Sequence, residues 1–161
     1  MTEPDGTPQF RVLPRKDCES LLVRNSVGRV AFVRGNRVDI IPIHYVFENG
    51  VVCGRTARGT RLEEASLNFN DSWPVAFETD EVDELFQWRS VVVHGNLHAA
   101  AQDDAEWQRN TREWEETMRA FRTLMPDAFT AKDPTRFRDI LIRIDAAEVS
   151  GREALPGRGT R

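Results

Sequence analysis

The chain has few lysines, and its net charge is negative. Lys16 and Lys132 are the only lysines among 22 basic side chains, and 26 acidic side chains bring the net charge to −4. An acidic balance of this kind gives no support to general nucleic-acid binding. The excess of arginine either serves bidentate contacts to carboxylate or phosphate or reflects only a GC-rich genome.

Cysteine is also scarce, and long apolar runs are missing. Cys18 and Cys53 form no close-spaced pair, so we expect two free, buried thiols rather than a disulfide. The sequence contains no signal-peptide pattern and no apolar run of membrane-spanning length. These features predict a reduced, cytoplasmic protein without a membrane or nucleic-acid partner. The 161 residues suffice for one domain with its own core.

Familiar catalytic motifs are missing too. The chain has no H-E-x-x-H, C-x-x-C or G-x-S-x-G pattern. His94 and His98 lie four residues apart on a predicted strand, which corresponds to roughly 13 Å. The pair therefore cannot share one metal by itself. We predict neither a metallohydrolase nor a serine hydrolase, and we expect His94 to be a half-buried strand residue rather than a base. The catalytic residues stay unknown at this stage.

What the chain does contain is a basic stretch from Arg55 to Arg61, between a short apolar strand and a helix. Arginines, hydroxyl groups and the free amides of a helix start meet there, and this combination suits a phosphate group. The candidate phosphate ligands are Arg55, Thr56, Arg58, Thr60 and Arg61. The sequence therefore favours a phosphorylated small molecule as the ligand.

The order of elements indicates an antiparallel sheet with few helices. A polar, proline-containing arm (1–13) precedes the main domain (14–152), and a loose tail (153–161) follows it. Gly35-Asn36 and Asn49-Gly50 are hairpin turn signals, and Gly95 predicts a bulge or bend. The predicted strands are 28–34, 37–47, 51–56, 74–79, 88–101 and 137–150. An acidic turn is expected at 80–84. This pattern predicts a mainly β protein, a small closed or half-open antiparallel barrel.

Three helices are predicted. The first covers 17–24, and the second starts at Thr60, where Thr60 and Glu63 match the S/T-x-x-E capping box, and continues to Leu67. The third runs from Asp103 to Met125 and is ended by Pro126. An apolar stripe along it packs against the sheet or against a second subunit. The stripe consists of Trp107, Trp114, Met118, Phe121 and Met125.

Two further segments are candidates for contact with a ligand. Pro42 interrupts an apolar strand, and its missing N–H indicates either a strand edge or bulge, or a break that leaves backbone amides free for a ligand. A planar heteroaromatic ring is one ligand that such amides could bind. Trp88 begins another strand, and it covers a hydrophobic edge or abuts a planar ring.

Taken in order, these segments resemble the pyridoxamine 5′-phosphate oxidase-like proteins, the flavin-binding split-barrel family, over residues 13–152. The matching pieces are Cys18–Leu22, Val27–Phe32, Ile41–Gly50, Arg55–Leu62, Val75–Asp80, Trp88–Gly95 and Val149–Arg152. The resemblance implies a six-stranded split barrel with flanking helices, and a homodimer with two FMN sites at the subunit interface.

The resemblance also implies roles for particular residues. Pro42, Ile43, His44 and Tyr45 would border the flavin ring, largely through backbone groups, and the basic stretch would hold the phosphate. Trp88 and Ser90 would lie close to the cofactor across the dimer.

The family often has Asn at the position of His44 and Lys at that of Arg61. Arg61 keeps the charge, whereas the His44 ring would either donate to the flavin or block it.

Three functions follow. The first is an FMN-dependent oxidoreductase acting on an unidentified small molecule, with a nicotinamide reductant; true vitamin B6 oxidase activity is not expected. The second is a deazaflavin-dependent reductase, whose longer cofactor tail would use a basic groove from Arg37, Arg89 and Arg152. The third is a non-catalytic flavin- or haem-binding dimer, or one with an empty site, in which His94 or His44 could ligate haem iron.

Overall fold

The computed structural model describes residues 6–66 and 73–158. Segments 1–5, 67–72 and 159–161 lie outside the described residues. The start of the predicted arm, the end of the predicted tail and Leu67 of the predicted second helix fall in these segments. Seven strands and four helices make up the described part of the chain. They are β1 (Gln9–Val12), α1 (Arg15–Arg24), β2 (Val27–Arg34), β3 (Arg37–Glu48), β4 (Val51–Thr56), α2 (Arg61–Ser66), β5 (Trp73–Glu84), β6 (Gln87–Ala101), α3 (Ala105–Arg109), α4 (Thr111–Arg122) and β7 (Ile140–Leu155).

The strands form an antiparallel sheet that closes on itself. Their order is β1-β7-β4-β3-β2-β5-β6, and β6 pairs back with β7. Six strands therefore make a ring, which confirms the predicted antiparallel barrel with flanking helices. The seventh strand, β1, pairs with the end of β7, from Gln9↔Leu155 to Val12↔Arg152, beyond the part of β7 that pairs with β4.

The turns that set the strand register are those the sequence predicts. Gly35 has φ +60° in the turn between β2 and β3, and Asn49 and Gly50 have φ 52° and 76° in the turn between β3 and β4. Such positive φ angles favour glycine and asparagine, and they match the twist of a two-residue hairpin. The register between β6 and β7 shifts at Gly95, which confirms the predicted bulge.

The main core lies on the buried faces of the ring strands. Alternate residues of β2, β3, β5 and β6 point into it, as the period of two of a β-strand requires. Tyr45 and Phe77 meet edge to face at 4.7 Å between ring centroids, and Phe32 and Trp73 meet in the same way at 5.4 Å.

The predicted third helix is two helices. It breaks at Asn110, whose backbone (φ −127°, ψ 40°) leaves the helical region between α3 and α4. Its apolar stripe nevertheless packs against the sheet, which confirms the first of the two predicted interpretations. The second core contains Trp107, Trp114, Phe121, Met118 and Met125 of the stripe, together with Ala100, Ala128, Phe129 and Leu141.

The predicted ends of the domain need correction. The arm is not merely extended, because it contains β1. The last strand begins at Ile140 rather than at Phe137 and ends at Leu155 rather than at Ser150, so the predicted tail starts inside a strand whose Ala154 is buried. The predicted acidic turn at 80–84 belongs to β5, because these residues continue to pair with β6.

Cys18 and Cys53 are both free and buried, as predicted. Burial raises the pKa of the Cys53 thiol to about 12 and also raises that of Cys18. Every helix within 6–66 and 73–158 is too short or too polar to cross a membrane.

Candidate functional site: a cavity where two strands separate

Strand β3 separates from β4 halfway along its length. It pairs with β2 from Arg37 to His44, but its register with β4 covers only Tyr45↔Gly54 to Glu48↔Val51. Strand β4 continues to Thr56, which pairs with Ile140 of β7 instead. The two strands therefore part beyond Tyr45 and Gly54, and a cavity of about 500 Å³ opens between them. Ligand pockets commonly have this volume.

The cavity brings together most of the predicted phosphate and ring residues. It is lined by Ile41, Pro42, Ile43, Arg55, Thr56, Ala57, Gly59, Thr60, Arg61, Leu62, Phe137 and Arg138. One wall is apolar and comes from β3. The opposite wall carries hydroxyl groups and arginines and comes from the end of β4 and the turn that leads into α2. The cavity does not include His44, Tyr45, Arg58, Trp88 or Ser90.

Pro42 lies at the edge that the separation of the strands creates. The Tyr45 N–H donates to the carbonyl of Ser26, on the β2 side, at 2.9 Å. Backbone groups of successive strand residues alternate in direction, so those of Pro42 and His44 point to the opposite, β4 side. A Cβ on Gly54 would lie 3.1 Å from the His44 carbonyl, which agrees with this direction. A residue without an N–H thus stands where no sheet hydrogen bond is lost.

Thr56 and Thr60 place two hydroxyl groups together on the polar wall. Their Oγ1 atoms are 3.0 Å apart, and Thr60 Oγ1 lies 2.9 Å from the carbonyl of Ala57. Thr60 Oγ1 also accepts from the Glu63 N–H at 3.3 Å, which confirms half of the predicted capping box. The Glu63 carboxylate accepts from the N–H of Gly59 instead of Thr60, at 3.1 Å. Gly59 has φ +76°, which only glycine adopts easily.

Arg61 supplies an accessible positive charge to the cavity. Its side chain is 53% exposed, and its Nη1 lies 3.3 Å from Oδ1 of the buried Asp39. Arg34 and Arg37 approach the same carboxylate at 3.2 Å and 3.6 Å. Arg34 also lies 3.5 Å from Glu64, so three arginines face two carboxylates and the cluster keeps a net positive charge. Asp39 orients Arg61 without neutralising its surroundings.

Arg55 is positioned differently from the prediction. Its side chain is only 3% exposed, and the guanidinium makes a bidentate contact with Asp133 at 2.5 Å and 3.1 Å. It also donates to the hydroxyl of Thr135 at 2.5 Å, and it lies over the rings of Phe121 and Phe129. We therefore remove the Arg55 guanidinium from the phosphate set, because a buried cation with a bidentate counter-ion is already satisfied.

Arg58 and Tyr45 also have partners elsewhere. Arg58 points outward to Asp139 and Asp103, at 3.1 Å and 3.0 Å, and is not part of the cavity lining. The Tyr45 ring is fully buried, and its hydroxyl donates to the carbonyl of Leu22 at 2.7 Å. Burial raises the pKa of this hydroxyl to about 12. Neither side chain fits the predicted contact, and for Tyr45 the backbone N–H is committed as well.

His44 is exposed, on the face of β3 opposite to the core. Of the other two histidines, His94 is exposed, and Nε2 of His98 lies 3.3 Å from Asp145. The prediction of a half-buried His94 is therefore wrong. Searching residues 6–66 and 73–158 gives no group of three His, Cys, Asp or Glu residues placed to hold a metal ion.

Trp88 and Ser90 lie at a separate place on the molecule. Trp88 lines a second cavity, of about 330 Å³, with Phe10, Val12 and Glu153, and its ring centroid is 6.3 Å from that of Phe10. The hydroxyl of Ser90 lies 3.3 Å from the Glu78 carboxylate. Within one protomer, therefore, the two residues do not line the cavity between β3 and β4.

Phe137 and Arg138 line the cavity, and the sequence analysis did not identify them as ligands. They precede β7 on the loop from α4, and Phe137 is 64% exposed. The guanidinium carbon of Arg138 lies 5.7 Å from the Phe137 ring centroid. The one signal in the sequence is an aromatic residue beside an arginine directly before a strand, which by itself does not indicate a binding site.

The family model for pyridoxamine 5′-phosphate oxidase matches residues 14–153 of the chain. The chain belongs to this family. The match covers the six-stranded ring except the last two residues of β7, and it leaves out β1, so the family resemblance seen in the sequence is confirmed. No curated protein sequence matches the chain.

The chain is also similar to solved structures. The chain is similar to the FAD-binding protein from Mycobacterium smegmatis, at 26% identity and a TM-score of 0.63, over 89% of this chain and 98% of that one. It is also similar to a conserved protein of unknown function from Corynebacterium diphtheriae, at 29% identity and a TM-score of 0.64, over 91% and 98%. A FAD-binding protein from Mesorhizobium loti shares the fold, at 21% identity and a TM-score of 0.62, over 89% and 97%.

Proposed function

We propose that this member of the pyridoxamine 5′-phosphate oxidase family binds a flavin nucleotide in the cavity between β3 and β4 and is a flavin-dependent oxidoreductase for a small molecule. The observation that carries the proposal is the two-sided lining of this cavity. An apolar wall around Pro42 and Ile43 faces a polar wall with Thr56, Thr60 and Arg61. A flavin nucleotide has the same division between a planar ring and a phosphate.

The residues fit such a cofactor in chemistry as well as in volume. Arg61 would pair with the phosphate. The hydroxyls of Thr56 and Thr60 would donate to its oxygens by turning away from their present acceptors, which are Thr60 Oγ1 and the Ala57 carbonyl. The backbone of Pro42 and His44 would meet the polar edge of the ring, and Ile43 would exclude water from it. The flavin, when bound, supplies the hydride chemistry, and the protein contributes binding and orientation. The lack of a conventional acid or base at the cavity is compatible with this division of roles.

FMN is the cofactor that the phosphate-binding wall alone accounts for, and FAD and a deazaflavin are the alternatives. FMN has a single phosphate, which Arg61 and the two threonines suffice to bind. The FAD-binding relative at 26% identity supports FAD as a second candidate. We keep the deazaflavin as the third candidate, because Arg37, one of the arginines predicted for its longer tail, contacts the same Asp39 carboxylate as Arg61.

We further propose that the protein acts as a homodimer. Phe10, Phe86 and Trp88 form an aromatic cluster, with centroids of neighbouring rings 6.3–6.4 Å apart, in which Phe10 is 64% exposed. A second subunit would cover this cluster and carry Trp88 and Ser90 to the partner's cavity. The two buried free thiols support a reducing, cytoplasmic environment.

The test is the visible spectrum of the purified protein, before and after addition of FMN, FAD or a deazaflavin and gel filtration. Flavin absorption that stays with the protein peak, and that NADPH bleaches, is the expected result. A protein that retains none of the three cofactors would refute the proposal. A bound flavin that no nicotinamide reduces would restrict the protein to cofactor binding.

A further inference from the structure

Phe137 is an exposed aromatic side chain that the proposed site does not yet explain. It is 64% exposed, it lines the cavity, and the guanidinium of Arg138 lies over its ring. A single exposed aromatic residue is common on protein surfaces. Its significance here depends on whether the fold holds it in place and on where it stands relative to the phosphate-binding wall.

The fold holds the Phe137 loop in place through a buried ion pair. Asp133 receives the Arg55 guanidinium and the backbone N–H groups of Phe129 and Thr135, both at 2.9 Å. The Thr135 hydroxyl accepts from Arg55, and the Thr135 carbonyl accepts from the Arg138 N–H at 2.9 Å. The hydrogen bonds of Arg55 hold the pKa of the Asp133 carboxyl well below its usual range. The turn that carries Phe137 is thus fixed on both sides of the aromatic residue.

The position of Phe137 across the sheet is equally defined. In the order β7-β4-β3, the apolar wall belongs to β3, and the hydroxyl groups lie at the end of β4. Thr56 of β4 pairs with Ile140 of β7, and Arg58 contacts Asp139 at 3.1 Å. Phe137 therefore stands on the β7 side of the phosphate-binding turn, whereas Pro42 stands on the β3 side.

This gives a linear order of apolar wall, hydroxyls and cation, and then an exposed aromatic ring. A flavin dinucleotide has the same order of chemical groups: a flavin ring, a diphosphate and an adenine. A mononucleotide ends at its phosphate and would leave the aromatic ring without a function. Arg138 adds a second cation to the cavity lining, next to the aromatic ring.

We propose that Phe137, with Arg138, is the adenine platform of this site, so that the protein selects FAD over FMN. The inference rests on the proposed flavin function and sharpens it, because it selects FAD among the candidate cofactors. An adenine stacked on the Phe137 ring gains affinity that FMN cannot gain.

The test is calorimetric titration of the apo protein with FAD, FMN and ADP, repeated on variants. We expect wild-type protein to bind FAD about tenfold more tightly than FMN, the size of one base–aromatic stacking contact. Phe137→Ala should lose this preference through weaker FAD binding alone, and Phe137→Trp should keep it. Val38→Ala, a truncation at a residue that is 74% exposed and outside the cavity lining, should change neither affinity. Thermal unfolding of each variant checks that the fold is intact.

The outcomes separate this inference from the proposed function. Equal binding of FAD and FMN, or a Phe137→Ala variant that loses FMN as strongly as FAD, would overturn the adenine platform and leave a flavin site. Absence of binding to both flavins would refute the proposed function, and ADP binding that depends on Phe137 would then support an adenine site on its own.

Discussion

Arg55 and Arg61 come from one short stretch of sequence and end in opposite environments. The Arg55 side chain is 3% exposed and is satisfied by Asp133 and Thr135. The Arg61 side chain is 53% exposed and shares the carboxylate of Asp39 with two other arginines. An arginine near a cavity is therefore available to an anion only if no carboxylate of the protein already neutralises it. One arginine thus serves the fold, and the other is available to the proposed ligand.

Removal of Arg55 should have the largest effect on stability. Arg55→Ala leaves the Asp133 carboxylate buried without its counter-ion, which we expect to lower the free energy of unfolding by about 3–5 kcal/mol. Arg55→Met combined with Asp133→Asn removes both charges and should cost less than Arg55→Met alone. Urea unfolding at neutral pH measures the free energy of unfolding of each variant. The matched control is Arg58→Ala, at an exposed pair, which should leave stability unchanged. Equal losses in Arg55→Ala and Arg58→Ala would remove the contrast between buried and exposed arginines.

Acid should weaken the Arg55–Asp133 ion pair by protonating the Asp133 carboxylate. The hydrogen bonds from Arg55 hold the pKa of Asp133 below its usual value of about 4. A depressed folded-state pKa stabilises the protein above about pH 4, and this contribution is lost as the pH falls through the folded-state value. The loss should be smaller than that from Arg55→Ala, because the Thr135 hydroxyl still accepts from Arg55.

The measurement is the urea midpoint as a function of pH for wild type and Asp133→Asn. Asp145, whose pKa its hydrogen bond with His98 lowers to about 2, titrates in the same window in both proteins. The Asp133 contribution is therefore the difference between the two curves. Parallel curves between about pH 5 and about pH 2 would mean that the Arg55–Asp133 pair contributes nothing to acid sensitivity.

Loss of Arg61 should affect ligand binding and leave stability almost unchanged. A hydrogen bond to a charged group contributes about 1.5–3 kcal/mol, so Arg61→Ala should weaken FMN binding by about 10- to 100-fold. Riboflavin, which lacks the phosphate, should bind to variant and wild type equally. Arg37→Ala is the control, because Arg37 also contacts Asp39 but does not line the cavity. If riboflavin binding falls with FMN binding, Arg61 does not act through the phosphate.

Substitution of Thr60 should have the smallest effect in free energy, and it separates a helix cap from a phosphate ligand. Its hydroxyl accepts from the Glu63 N–H, so Thr60→Ala should cost about 1 kcal/mol of stability as a lost helix cap. The same hydroxyl lies beside Thr56 in the cavity lining. If stability falls while flavin affinity stays constant, Thr60 is a cap and not a phosphate ligand. Thr60→Ser should restore both properties.

The sequence predicts the parts of the fold that depend on neighbouring residues. The hairpins at Gly35 and Asn49 follow from residues that tolerate positive φ, and the second core follows from an apolar stripe at helical spacing. Strand β1 was missed because it has only four residues and lies between the prolines of a polar arm, although Gln9–Val12 alternates polar and apolar residues. The break at Asn110 was missed because the stripe continues across it.

The residues of the candidate site also fall into those that local sequence predicts and those that depend on distant residues. Pro42, Thr56, Thr60 and Arg61 were predicted because a proline in a strand and a basic turn are local signals. The role of Arg55 depends on Asp133, which lies 78 residues further along the chain and carries no signal of its own. Phe137 and Arg138 line the cavity from a loop that this distant pair holds in place.

Strand β7 has a consequence for how the protein is made. It pairs with β1, β4 and β6, so three strands that are synthesised earlier cannot complete their pairing until this late segment has been made. Most of these pairings join residues far apart in sequence, which slows folding because long loops must close first. During translation, the nascent chain would therefore hold unpaired edges until residues 140–155 leave the ribosome, and a chain truncated before residue 140 would be prone to aggregation.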